Sequence, residues 1–316
     1  MKSVLNDKHF HDEKAAYKWV EARVWPEGPV CPHCGGVERI SAMKGKSTRI
    51  GAYKCYQCRK PFTVKVGTIF ESSHIPMKLW LQAIFLMTSS KKGISSNQLH
   101  RTLGCTLKTA WFMSHRIREA MREGGLAPMG GGGGIVEADE TYFGKVGAAK
   151  TRTKTTSGRK FTKGGRTGPS NKREILSLVE RGGKVRSFHV QNADKVSVAN
   201  IVKENVSRET RLHTDESRLY HGADEYFQTH ETVKHSIKEY ARGDIHVNSA
   251  EGFFGIFKRG MRGVYQHCSE KHLHRYLAEY DFRYNHRIAL GTNDEGRAAM
   301  ALKGAVGKRL TYETIG

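Results

Sequence analysis

Two closely spaced cysteine pairs place the strongest constraint on what this chain can fold into. The pairs are CPHC at 31–34 and CYQC at 55–58, and twenty residues separate them. Each C-x2-C turn presents two thiolates to the same side, and two such turns complete the tetrahedral shell that Zn²⁺ prefers. A module this small buries too little apolar surface to fold alone, so bound metal would be its main stabilisation. We therefore predict a closed, structural zinc site with four ligands: Cys31, Cys34, Cys55 and Cys58.

The charge balance indicates a polyanionic partner. The chain of 316 residues has 53 Lys and Arg against 31 Asp and Glu, a formal net charge of +22. An excess of this size favours nucleic acid, and the alternative is a merely basic soluble protein. The polar N-terminus does not resemble a signal peptide, and the most apolar run, residues 79–87, is too short to span a bilayer. These features predict a soluble, cytoplasmic protein with no membrane partner.

Shifts in composition divide the chain into six predicted segments. Strand-like runs that are followed by alternating helices indicate an α/β domain in the second half of the chain. An insertion at 145–173 has ten Lys or Arg and no acid, which predicts a mobile basic loop. The predicted segments are an N-terminal helix (1–24), the zinc module (25–70), a helix-turn-helix-like module (76–123), a glycine-rich linker (124–134), the α/β domain (135–290) and a C-terminal tail (291–316).

The segment GISSNQLHRTLGCTLKTAWFMSHRIREAM at 93–121 is typical of a helix, a glycine-containing turn and a second helix. The expected boundary residues are Ser95 or Ser96 at the first cap, Gly104 in the turn, and Thr106 or Thr109 at the second cap. An ordinary helical hairpin would have the same pattern. If the module binds DNA, the basic side chains left for phosphates or a groove are Lys108, Arg116 and Arg118.

Three acids that lie far apart in the sequence are candidates for a second metal centre. Asp139 lies in the strand-like IVEADETYF, Asp215 ends the strand-like part of TRLHTDES, and Glu251 lies near the start of a predicted helix. Strand alternation places Asp139 on the same face as Glu137 and opposite Glu140. Hard divalent cations prefer oxygen ligands. Two Mg²⁺ or Mn²⁺ ions held about 4 Å apart can activate an attacking hydroxyl and stabilise the leaving oxygen of a phosphodiester.

The third acid has two competing interpretations. Asn248-Ser-Ala-Glu251 has the spacing of a capping box, with Asn248 at the N-cap and Glu251 three residues later. Asn248 is also an alternative catalytic residue, but a neutral amide binds a metal more weakly than a carboxylate, so we favour Glu251. His246 is a further candidate. The basic residues of the same helix that we expect to contact DNA phosphates are Lys258, Arg259 and Arg262.

Together these motifs resemble the DDE transposases of bacterial insertion sequences, in the group that carries a zinc ribbon before the catalytic domain. The resemblance rests on CPHC…CYQC, VEADETYFGK, LHTDES, HVNSAEGFFGIFKRG and HLHRYLAEYDFRYNHR. It implies an α/β RNase H-like catalytic domain, a mixed sheet flanked by helices. It also implies Asp139 and Asp215 as the first two acids, and Lys258 matches the basic residue that follows the third.

The resemblance also implies an activity and partners. The expected protein binds the terminal inverted repeats of its element and target DNA, cleaves and joins strands with Mg²⁺, and works near the bacterial nucleoid as a dimer or larger assembly. Two alternatives remain: a non-catalytic zinc-ribbon DNA-binding protein, and a metal-dependent nuclease without strand transfer.

Overall fold

The computed structural model describes residues 3–145, 151–154, 160–162, 172–191 and 194–311. The chain divides into two compact units. The N-terminal unit is formed by Met1–Glu123 together with His286–Gly316, and the sheet unit by Gly124–Asn285. The stretch predicted as a C-terminal tail therefore belongs to the N-terminal unit. Within the described ranges, no helix is both long enough and apolar enough to cross a membrane.

The N-terminal unit combines a small sheet with five helices. Its elements are α1 (Glu13–Val24), β1 (Ile40–Ala42), β2 (Tyr53–Cys55), β3 (Pro61–Phe62), α2 (Met77–Ser89), α3 (Ser96–Leu103), α4 (Leu107–Met121) and α8 (Asp294–Lys303). The three strands pair antiparallel in the order β1-β2-β3. Helix α8 packs against α2, and the Arg297 guanidinium donates to the Thr88 carbonyl at the end of α2 (3.0 Å).

Two helices, α3 and α4, are joined by a short turn in the segment predicted as helix-turn-helix-like. The Ser95 hydroxyl accepts from the backbone N–H of Gln98 and thereby caps α3. Gly104 ends that helix in the left-handed region (φ 65°), where glycine carries no steric penalty. The Thr106 hydroxyl then accepts from the backbone N–H of Thr109 and caps α4. The short polar side chains thus set both helix starts, as their sequence positions predicted.

The prediction that Arg116 and Arg118 face DNA is wrong. Both side chains are buried. The Arg116 guanidinium donates to the backbone carbonyls of Ile69 (2.5 Å) and Glu71 (2.8 Å), and Arg118 donates to the Ser114 hydroxyl (3.0 Å). A buried guanidinium needs acceptors for its N–H groups, and these carbonyls and this hydroxyl of the N-terminal unit supply some of them. Helical spacing alone did not reveal which face of α4 is covered.

The sheet unit contains a five-stranded mixed sheet. Its elements are β4 (Ile135–Phe143), β5 (Thr151–Lys154), β6 (Lys160–Thr162), β7 (Arg173–Glu180), β8 (Val185–Val190), α5 (Lys195–Asn205), β9 (Arg211–Asp215), β10 (Thr229–Val233), α6 (Asn248–Gly260) and α7 (Leu273–Asn285). The strand order is β10-β9-β4-β7-β8. Strands β4, β7 and β8 form an antiparallel meander, while β9 and β10 run parallel to β4. This arrangement confirms the predicted RNase H-like fold class.

Helices cover both faces of this sheet. Ile175 and Val179 of β7 belong to a buried cluster with side chains of α6 and α7. Leu176 and Leu178 belong to a second buried cluster with side chains of α5. Successive residues of a strand point to opposite faces. The apolar run EILSLV therefore reads as a strand that is buried on both sides.

The glycine-rich stretch predicted as a linker is built into the sheet unit. The backbone N–H of Gly130 donates to the Glu180 carboxylate (3.1 Å), and the Met129 N–H donates to the Asn205 carbonyl (2.8 Å). Gly130 has φ 75°, and a Cβ at this position would lie 2.4 Å from Thr210 Oγ1. Glycine is thus required here by backbone conformation and close approach rather than by flexibility.

The basic insertion is described only in part. Its strands β5 and β6 pair antiparallel with each other. The remainder of the segment that was predicted as a mobile loop, residues 146–150, 155–159 and 163–171, lies outside the described residues.

Candidate metal centres and active site

The four cysteines of the two C-x2-C turns form one thiol cluster. The Sγ atoms of Cys31 and Cys58 are 3.6 Å apart, and those of Cys34 and Cys55 are 3.8 Å apart. A tetrahedron with Zn–S bonds of about 2.3 Å has sulfur–sulfur edges of about 3.8 Å. All four sulfurs lie within 4.8 Å of one another. The spacing and the all-thiol donor set therefore fit one structural zinc ion, as the sequence predicted.

Backbone geometry prepares this cluster for metal. Cys55 ends β2, and the turn that follows directs the backbone N–H of Cys58 at its sulfur, which lowers the pKa of the Cys55 thiol to about 7. Thiolates, not thiols, bind zinc, so a donor at the sulfur favours the ligating form. Phe62 of β3 packs in the same small core as Cys31 and Cys55. The cysteine cluster is therefore part of the hydrophobic core of the small sheet.

The register between β4 and β9 brings the first two candidate acids together. Ile135 pairs with Arg211, and the parallel ladder continues to the pair of Ala138 and Thr214. One further step places Asp139 beside Asp215, the last residue of β9. Neighbouring strands lie about 4.8 Å apart, so two side chains in the same register can share a ligand. Residues that are 76 positions apart in the sequence thus meet where β9 ends beside β4, in the interior of the sheet.

A third carboxylate joins this pair. Ligand oxygens of Asp139, Glu140 and Asp215 all lie within 4.8 Å of one another. Strand alternation predicted that Glu140 lies on the opposite face of β4 from Asp139, and its carboxylate lies beside Tyr220, which belongs to the buried cluster of Val136 and Ala138. One carboxylate oxygen of Glu140 is nevertheless within 4.8 Å of ligand oxygens of Asp139 and Asp215. Strand β9 ends at Asp215, beside these two consecutive residues of β4. The group defined by Asp139, Glu140 and Asp215 is called the acid cluster below.

The acid cluster is electrostatically costly without a cation. Burial, followed by the negative charges of Asp215 and Glu140, raises the pKa of Asp139 to about 8. Burial also raises the pKa of Glu140 to about 7; the nearby Tyr220 hydroxyl lowers it and the Asp215 charge adds to it. Adjacent carboxylates that are withdrawn from water favour protons or cations. An all-carboxylate donor set suits hard divalent ions such as Mg²⁺ or Mn²⁺.

Glu251 and Lys258 flank the acid cluster from α6. Glu251 lies in the first turn of that helix, and its charge contributes to the raised pKa of Asp139. Its carboxylate lies outside the acid cluster found among the described residues, is 52% exposed, and is 3.9 Å from Nε2 of His235. Burial and the charge of Arg262 lower the pKa of Lys258, whereas Asp139 raises it. Both α6 side chains thus act electrostatically on the first aspartate.

The capping-box interpretation of Asn248 and Glu251 is wrong. The N-cap is Val247, Asn248 is the first helical residue, and no side-chain cap at Val247 serves α6 in the described structure. The cap comes instead from β4: the buried Glu137 carboxylate accepts from the backbone N–H groups at the start of the helix. Asn248 is exposed. His246 Nδ1 lies 3.3 Å from Glu137 and outside the acid cluster.

Three of the basic residues predicted to contact DNA lie on the surface. Lys108 is exposed in the first turn of α4, Arg259 is exposed in the last turn of α6, and Arg262 is exposed in the π-helical turn that follows. Their positions are compatible with phosphate contacts, which remain a prediction.

Comparisons with known proteins agree with this architecture. Residues 11–61 match the transposase zinc-ribbon domain, and residues 132–285 match the ISXO2-like transposase domain. The chain belongs to the family of insertion-sequence transposases in which a zinc ribbon precedes an RNase H-like DDE domain. It is also similar to an uncharacterized protein in the transposable element ISH50 of Halobacterium salinarum, with 27% identity over 283 residues, which cover 87% of this chain and 92% of that protein.

Proposed function

We propose that this protein is an active DNA transposase that binds the terminal inverted repeats of its element and catalyses metal-dependent cleavage and joining of DNA strands. The observation that carries the proposal is the register of β4 and β9, which sets Asp139 and Asp215 side by side where β9 ends. The family match is consistent with this activity. The basic surface and the net charge of +22 favour a nucleic-acid substrate.

In this proposal the acidic residues bind the metal ions and the basic residues bind the DNA strand. Asp139 and Asp215 are the principal ligands in this proposal, with Glu140 and Glu251 available to complete the coordination. Bound Mg²⁺ or Mn²⁺ would activate the attacking oxygen and stabilise the leaving oxygen. Lys258 would hold a phosphate beside Asp139. Water would be the first nucleophile, and the 3′-hydroxyl that it frees would be the second, directed at target DNA. Because two element ends are joined in one event, we expect a dimer or larger assembly.

Substitution of the acids tests the catalytic proposal. Asp139→Asn and Asp215→Asn should each lower Mg²⁺-dependent cleavage of terminal-repeat DNA by at least about 1,000-fold, because loss of a metal ligand removes several kcal/mol of transition-state stabilisation. Affinity for the same DNA should change by less than about threefold, since one acid contributes little to phosphate binding. Asp244→Asn, at an exposed acid of the same unit, is the matched control and should cleave normally. Cleavage that survives in Asp139→Asn would refute the assignment.

The same assay separates the candidates for the third ligand. Glu251→Gln should reduce cleavage by about 100-fold at a fixed Mg²⁺ concentration, and Asn248→Ala by less than about threefold, because only the carboxylate is expected to bind metal strongly. The reverse order would assign the role to Asn248.

Pre-cut DNA separates transposition from the alternatives. A duplex with a free 3′-hydroxyl at the terminal repeat should be joined to target DNA by the transposase, whereas a plain nuclease would never join it. A non-catalytic binder would bind the duplex and leave both substrates intact.

A further inference from the structure

A buried carboxylate next to the acid cluster has no role in the reaction described above. Glu137 lies on β4, two residues before Asp139, and is fully buried. Its side chain reaches the start of α6, where Oε2 accepts from the backbone N–H groups of Ser249 (2.7 Å) and Ala250 (3.1 Å). Oε1 accepts from the Ser249 hydroxyl (3.0 Å).

An arginine completes the shell of this carboxylate. Arg181, in the turn after β7, donates to Glu137 Oε1 from Nε (3.0 Å) and Nη2 (2.8 Å). It also donates to the backbone carbonyls of Asp244 (2.6 Å) and His246 (3.1 Å), which lie in the loop that leads into α6. The pair therefore links the β4 strand, the β7–β8 turn and the entry to the helix.

Helix α6 depends on this external acceptor. The first N–H groups of a helix have no partner inside it, and an anion at this end is additionally favoured by the helix dipole. Val247, at the N-cap position, has an apolar side chain and supplies no side-chain acceptor. A carboxylate from the neighbouring strand satisfies the donors and, because it is buried and held by Arg181, it also fixes where the helix begins.

The location of this link suggests a consequence for catalysis. Strand β4 carries both Glu137 and Asp139, and α6 carries Glu251 in its first turn and Lys258 two turns later. The charges of these two α6 residues already act on Asp139, or respond to it. A shift or fraying of the first turn of α6 would move Glu251 relative to the acid cluster, without altering Asp139 or Asp215.

We propose that Glu137 is a positioning residue that joins the N-terminus of α6 to β4 and thereby sets the third acid and Lys258 against the first two acids. The catalytic part of this inference rests on the proposed function, whereas the structural part does not. Glu137 itself touches neither metal nor DNA in this proposal.

Glu137→Gln in the full-length protein tests both parts. The amide keeps the shape but loses the charge and one acceptor oxygen, which leaves a helix donor and Arg181 poorly satisfied. We expect kcat for cleavage of terminal-repeat DNA to fall roughly 10- to 100-fold, because small displacements of a catalytic group have effects of this size. KM for DNA should stay within about threefold, and the Mg²⁺ concentration for half-maximal rate should rise.

Hydrogen exchange of the backbone amides provides a readout that does not depend on activity. In Glu137→Gln, amides in the first turn of α6 should exchange at least about tenfold faster, while the β4 and β9 amides keep their protection. Glu279→Gln on α7 is the matched control, because it also loses a fully buried carboxylate paired with an arginine, Arg283. That control should leave protection of the first turn of α6 and the Mg²⁺ requirement unchanged.

The possible outcomes are distinct. Wild-type kcat and wild-type exchange in Glu137→Gln would overturn the inference, as would equal losses of kcat in Glu137→Gln and Glu279→Gln. If Glu137→Gln does not fold, Ser249→Ala removes a single hydrogen bond of the shell and should give a smaller change of the same kind in exchange and kcat; no change would refute the inference. If the wild-type protein does not cleave DNA at all, the proposed function fails, and the exchange result still decides the structural part.

Discussion

Asp139 lowers the stability of the metal-free fold at neutral pH and is also a proposed metal ligand. Its carboxylate lies beside two others and is half-buried, and burial together with the neighbouring negative charges raises its pKa to about 8. An isolated aspartate in an unfolded chain has a pKa of about 3.9. The folded state therefore binds more protons than the unfolded state between these two values, and its stability falls as the pH rises through this window. A metal ion that neutralises the cluster would reverse this cost.

This reasoning predicts the pH dependence of the zinc-loaded protein in Mg²⁺-free buffer. Relative to Asp139→Asn, the wild type should lose free energy of unfolding as the pH rises from 6 to 8, and added Mg²⁺ should restore it most strongly near pH 8. Asp139→Asn should be more stable than the wild type at pH 8 without Mg²⁺, by about 1–3 kcal/mol, and should gain less from Mg²⁺. Urea unfolding at pH 6 and pH 8 measures both effects. A stability difference between the wild type and Asp139→Asn that is the same at pH 6 and pH 8 would contradict the account.

At the scale of elements, local sequence patterns predicted the helices and strands better than they predicted the contacts between distant elements. The strand-like IVEADETYF is β4 (Ile135–Phe143), and the strand-like part of TRLHTDES is β9 (Arg211–Asp215). The caps of α3 and α4 are also those that the sequence indicated. The cap of α6 was missed because its acceptor lies more than a hundred residues away on another element. Capping motifs depend on residues that are close in the sequence. They cannot predict that an acceptor from another element, such as the Glu137 carboxylate of β4, binds the helix N-terminus instead.

The zinc module yields a prediction at this scale. Cys55→Ser should lower the zinc content from about one ion per chain to near zero and weaken binding of terminal-repeat DNA by more than about tenfold, because metal binding stabilises this module. Cys105→Ser, in the helix-turn-helix turn and outside the thiol cluster, should keep its zinc and its affinity. Metal analysis and a DNA-binding titration decide the matter. Zinc retained at full occupancy in Cys55→Ser would show that the four thiols are not a closed site.

At the scale of the whole molecule, an N-terminal and a C-terminal segment of the described chain belong to one compact unit. Residues 286–316 belong to the same unit as residues 1–123, and Leu302 of α8 is fully buried there. The sequence suggested a tail at 291–316, because a short segment near a terminus gives no indication of its packing partner. The sheet unit is consequently formed by an uninterrupted stretch of chain, Gly124–Asn285.

The packing of α8 predicts a local loss of stability. Leu302→Ala should destabilise the N-terminal unit by about 2–4 kcal/mol, since it removes a buried side chain and leaves a cavity. Met300→Ala, at an exposed position of the same helix, should change stability by less than about 0.5 kcal/mol. Hydrogen exchange resolved by unit should place the Leu302→Ala effect in residues 1–123 and 286–316. Equal effects of the two substitutions would mean that α8 does not pack as described.

The sequence by itself indicated the four-cysteine cluster, the two helices joined by a glycine turn and the pair of aspartates, because each depends on residue type at short spacing or within a strand-like segment. Tertiary structure decided which groups join them. A Glu140 oxygen lies within reach of Asp139 and Asp215, Glu137 rather than Asn248 caps α6, and Arg116 and Arg118 are turned inward. These outcomes depend on the register and packing of distant segments, which periodicity along one segment does not encode.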